Sequence, residues 1–145
     1  MGRSSKARGA ILGAAVAAWC VPAHADIALS ANDGHTVLVD GVAGAPAAPG
    51  PDTISVIDLS QSPPKVVDTI EVPGSVTGPP TSVAVSKDET FAVITSATRA
   101  DPAGPAGISP DDRVTVVDLT VKPPAIVQRL RAGAGAATVR MSPDG

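Results

Sequence analysis

The residues of this 145-residue chain whose types could do chemistry are few and widely spaced. Histidine, the usual acid, base or ligand near neutral pH, occurs only at positions 24 and 35. His24 falls in an N-terminal leader. His35 follows the turn Asn32-Asp33-Gly34, where a lone histidine reads as an exposed polar residue rather than a ligand or base. Asp101, Asp111 and Asp112 share one loop and offer the hard oxygen ligands that calcium takes, but their spacing matches no calcium loop, and they read as carboxylates solvating a turn. Asp58 and Asp118 each close an apolar run just before a turn, where a carboxylate accepts backbone N–H bonds. Their recurrence argues for a structural task. Gly133-Ala134-Gly135-Ala136-Ala137 has neither the dinucleotide pattern nor a helix after it, so it reads as a linker and not a phosphate cradle. No spacing joins Ser, His and Asp into a nucleophilic set, pairs two glutamates, or clusters histidines for a metal. The sequence therefore nominates no catalytic residue, no cofactor-binding residue and no metal ligand.

The stretch 1–25 reads as a secretory signal. Arg3, Lys6 and Arg8 make a basic start, residues 10–21 an apolar run, and Ala23-His24-Ala25 the small-x-small exit that a signal peptidase accepts. The run is shorter than the roughly 20 apolar residues a membrane span needs, so cleavage after Ala25 is expected, with no stable membrane insertion afterwards. The lone cysteine, Cys20, lies inside the leader behind the bulky Trp19, which argues against lipidation. A chain beginning at Asp26 then has no thiol for a disulfide or a metal, and the expected compartment is a periplasm or the cell exterior. Without Arg3, Lys6 and Arg8, eight basic residues face 14 acidic ones. The basic residues are scattered, which speaks against nucleic acid as a partner.

From Asp26 onward, β-branched residues alternate over short runs between turn residues, the signature of strands. The expected first unit is a hairpin of 27–31 and 35–40 around Asn32-Asp33-Gly34, a connector over 41–52, and strands at 53–59 and 65–72. The expected second unit is a hairpin of 81–86 and 90–96 around Lys87-Asp88-Glu89, a loose loop over 97–112, and strands at 113–119 and 125–131. The two units keep register. Asp58-Leu59 recurs as Asp118-Leu119, and Pro63-Pro64 recurs at the same offset as Pro123-Pro124. Ser86-x-Asp88 recurs as Ser142-x-Asp144. Inner strands such as Val83-Ala84-Val85 and Phe91-Ala92-Val93-Ile94 are apolar or small on both faces, so each sheet needs cover on both sides. Radial stacking into a β-propeller supplies that cover, whereas a two-sheet sandwich expects a polar outer face. Past the leader Phe91 is the single aromatic, so Val, Ile, Leu and Ala must build the core.

The run Thr53-Ile-Ser-Val-Ile-Asp-Leu, Lys65-Val-Val-Asp-Thr-Ile-Glu-Val-Pro-Gly and Pro80-Thr-Ser-Val-Ala-Val-Ser-Lys-Asp resembles the YVTN-type β-propeller repeat of exported and surface proteins, related to lactonase-like propellers. Met141-Ser142-Pro143-Asp144-Gly145 fits that repeat's Ser-Pro-Asp-Gly turn. Leu38-Val39-Asp40-Gly41 and Val93-Ile94-Thr95-Ser96 depart from its Tyr-Val-Thr-Asn strand. The resemblance implies an all-β chain with a leader at 1–25, blade one at about 26–74, blade two at about 80–132 and the start of a third at 136–145, hence the N-terminal piece of a longer ring. It implies a non-catalytic binding or scaffold module for a protein or small-molecule ligand; separately, the open blade edge and the apolar faces left uncovered lead to an expectation of self-association. The alternatives are a lactonase-like hydrolase whose site residues lie in other blades, and an inactive truncated product.

Overall fold

The computed structural model describes residues 25–75, 77, 81–133 and 135–144, so the expected leader at 1–25, but for Ala25, lies outside the described residues. The described residues are nearly all-β, in antiparallel sheets, none of them closed. Among the described residues no helix is long and apolar enough to cross a membrane.

The second unit folds as a four-stranded meander in chain order, β6 (Val83–Val85), β7 (Phe91–Ala100), β8 (Ile108–Asp118) and β9 (Ala125–Arg131). Ser86 closes its first turn. Its backbone pairs with Phe91, and its Oγ accepts the N–H of Thr90 and of Phe91, each at 3.1 Å. The 97–112 segment is an ordered extension of the β7–β8 hairpin and not the loose loop its Gly and Pro content suggests. Pairing continues to Ala100 opposite Ile108, and a 3-10 turn at Pro105–Gly107 caps it. Between Ser96 and Thr98 the register shifts, so β8 spends Asp111 and Asp112 where β7 spends Ala97. Such a bulge re-aims side chains, and here it turns Asp111 inward.

The first unit departs from the expected four-stranded meander. β1 (Ile27–Asn32) pairs directly with β4 (Thr53–Asp58), which pairs with β5 (Lys65–Glu71), giving a sheet of three strands. The expected hairpin around Asn32-Asp33-Gly34 does not form. The Asp33 carboxylate captures the N–H groups of His35 and Thr36 at 2.9 and 2.8 Å, which turns the chain away from β1 instead of folding it back. The reversal comes later, in a separate hairpin of β2 (Val37–Val39) and β3 (Val42–Gly44). Its two-residue turn is Asp40-Gly41, both at positive φ (51° and 81°), the backbone that matches strand twist.

The lower parts of the two units correspond strand for strand. Ile27 opposes Asp58 as Phe91 opposes Asp118, so β1 corresponds to β7. Register shifts fall between Val56 and Ile57 and between Val116 and Val117. Asp58 accepts the N–H and hydroxyl of Ser60, and Asp118 those of Thr120. These bonds, led by the hydroxyl in each case, hold both carboxyls below their ordinary range. One core joins the sheets: Ile54 and Val72 from the first unit meet Ala92, Ile94 and Val117 from the second, with Leu29, Ile70, Val83 and Ile126 packed around them.

Candidate functional site

The chain leaves β1, enters β4, leaves β7 and enters β8 at the same end of the sheets, and both insertions, 33–52 and 97–112, stand there. The polar side chains of that end converge on His35. It is 2% exposed, not the exposed polar residue its position beside a turn suggests. Its Nδ1 lies 2.6 Å from Oδ1 of Asp52 and 3.1 Å from Oδ1 of Asp33, and its Nε2 lies 3.2 Å from Oγ1 of Thr98. Thr98 Oγ1 is also 2.7 Å from Oγ of the buried Ser75. The ring thus spans from the first unit's excursion to the second unit's extended hairpin. Backbone contact follows the same path, with the Ala45 N–H donating to the Ala106 carbonyl at 2.9 Å.

Asp33, His35 and Asp52 form a cluster of the type that holds a metal ion, with one ligand atom from each within 4.8 Å of the others. The donor set argues for a hydrogen-bonded lock instead. Asp33 Oδ1 already accepts two backbone N–H groups. Asp52 accepts the N–H of Gly34 on Oδ1 at 3.1 Å and that of Gly74 on Oδ2 at 3.2 Å. A metal at Nδ1 would displace the proton that bridges to Asp52, the shortest bond of the group. With Nδ1–H donated to a carboxylate and Nε2 facing a hydroxyl, Asp52, His35 and Thr98 also align in the order of a hydrolytic relay. No sequence spacing announces this set, because its members stand 17 and 63 residues apart from His35.

Asp52 has a counterpart. The Val72 N–H donates to the Asp52 carbonyl as the Ala132 N–H donates to the Asp112 carbonyl, at the offset that separates Asp58 from Asp118. Where Asp52 meets His35, Asp112 meets Arg131, and hydrogen bonding from that guanidinium lowers the Asp112 carboxyl and raises Arg131. Its neighbour Asp111, 4% exposed, pairs with Arg113. Burial pushes the Asp111 carboxyl up, but hydrogen bonds from Arg113, Ser96 and the Asp112 N–H together outweigh it and leave the group below its ordinary value. The two acids therefore make ion pairs and do not solvate a turn. Asp101 stands apart from them and caps its own turn, accepting the Ala103 N–H at 3.1 Å. Arg113 and Arg129 line a cleft of about 330 Å³ with Asp52 and Glu71, while His35 stays beneath the surface.

Above this lock the β2–β3 hairpin carries Leu38, Val39 and Val42 at 72%, 64% and 70% exposure. No protein-family model, no curated protein and no solved structure matches the chain.

Proposed function

We propose that the chain is an exported, non-catalytic binding or scaffold module, built of β-propeller blades of the YVTN kind, that presents the rim formed by residues 33–52 and 97–112 to a partner or ligand. The observation that carries this reading is the pairing of a buried polar lock with an apolar hairpin on top of it. His35, Asp52, Thr98 and Ser75 fix the two insertions to each other, and the rigid base holds Leu38, Val39 and Val42 in water. Clustered exposed apolar side chains on a fixed support are what an interaction site requires. A sheet scaffold carries function in such loops and not in its strands.

The second reading, a lactonase-like hydrolase, draws on the Asp52, His35 and Thr98 alignment. Burial of His35 opposes it, because a general base must reach a substrate proton directly or through one water. Assays over a panel of lactones and carboxylic esters separate the two. The module reading expects the wild type, His35→Gln and Thr98→Val to be alike and at the buffer rate. Wild-type turnover that both substitutions abolish would establish the hydrolase. Export is read separately, by N-terminal sequencing of periplasmic material, where a start at Asp26 is expected and a start at Met1 would remove that part of the proposal.

A further inference from the structure

The correspondence of the units leaves one strand position empty. In the second unit β6 lies outside β7, with Val83 opposite Ile94, Ala84 opposite Val93 and Val85 opposite Ala92. In the first unit β1 takes the place of β7, yet it ends its sheet: the order is β1-β4-β5, with no strand beyond β1 among the described residues. The β6 strand packs near β1 but forms no ladder with it. An unpaired strand edge is a template for another strand.

The chain also carries a further copy of the strand that would fit. Ala137-Thr-Val-Arg-Met-Ser142 repeats Thr81-Ser-Val-Ala-Val-Ser86, down to the Ser-x-Asp that follows. This copy is in no sheet, and a backbone bond from the Val139 N–H to the Thr81 carbonyl, at 2.9 Å, ties it to the start of the segment it repeats. We propose that residues 137–142 of one copy add to the β1 edge of a second copy, completing its first sheet as β6 completes the second. The repeat fixes the register. Ile94, Val93 and Ala92 correspond to Ser30, Leu29 and Ala28, so Val139 pairs with Ser30, Arg140 with Leu29 and Met141 with Ala28. The contact is head-to-tail and propagates from copy to copy until it closes on itself.

This inference rests on the strand correspondence and not on the reading of the rim, so either can fail alone. Sedimentation of the 145-residue chain at tens of micromolar is expected to show a discrete oligomer and not a monomer. A chain ending at Gly135 is expected to sediment as a monomer with its strand circular dichroism intact. In a Cys20→Ser background, Leu29→Cys combined with Arg140→Cys is expected to give intermolecular disulfides on mild oxidation, and Leu130→Cys with Arg140→Cys, on the far edge, is not. A monomeric full chain, an assembly that survives removal of 136–145, or equal cross-linking at both pairs would overturn the proposal.

Discussion

Every ring nitrogen of His35 faces a polar atom of a residue distant in sequence, and the carboxylates around it are held by backbone N–H groups. Removing the ring leaves two carboxylates in a site built for a partner, the costly half of a broken buried pair. His35→Gln is therefore expected to lower unfolding free energy by about 2–4 kcal/mol in denaturant titrations. Because backbone N–H groups already occupy Asp33 Oδ1 and both oxygens of Asp52, chelator or added zinc is expected to leave the melting temperature unchanged; metal-dependent melting would show that the cluster is a cation site after all. Asp111 gives the pH dependence. Its folded-state value lies below its ordinary one, so its contribution is present above the unfolded-state value of about 3.9 and is lost as pH falls through the folded one. Thermal melting is expected to fall steeply below about pH 4, and Asp111→Asn to flatten that slope.

At the scale of elements, the hairpin β2–β3 shows what was legible and what was not. Asp40-Gly41 between Val39 and Val42 is the strongest short hairpin signal in the chain, but Asn32-Asp33-Gly34 carries similar residues a few positions earlier. Both turn, and a local reading has no means of telling that Asp33 spends its carboxylate on turning outward. The Asp-Leu strand ends are readable from their recurrence at one offset, and the four strands of the second unit because each pairs with its neighbour in the chain. The burial of His35 and the pairing of β1 with β4 are not, since each depends on residues brought in from across an insertion. Gly41 offers a clean test of the turn. A Cβ there would meet nothing within 4 Å, so the cost of Gly41→Ala is conformational alone, about 1 kcal/mol for an L-residue at φ +81°. It should appear as faster amide exchange within residues 37–44, with global melting little changed. Gly34 is the contrast: a Cβ there would lie 2.4 Å from the Pro51 carbonyl oxygen and 2.7 Å from that of Gly50, so Gly34→Ala should displace the whole excursion.

For the molecule as a whole, two sheets share one aliphatic core and one polar rim. Ile54 and Ile94, each fully buried, meet in that core from opposite units. Ile94→Ala should cost about 2–5 kcal/mol and destabilise both sheets in a single transition. Separate melting of the two units would show that the core does not couple them. The rim is the more specific case, in which 33–52 and 97–112 form one structure joined by His35. Hydrogen exchange on wild type and His35→Gln tests it most directly. A rim locked in this way predicts that the amides of Ala45, on one insertion, and of Asp101 and Gly107, on the other, lose protection together, while those of β4–β5 and β8–β9 keep theirs. Loss of protection confined to 33–52, with Asp101 and Gly107 unchanged, would contradict it.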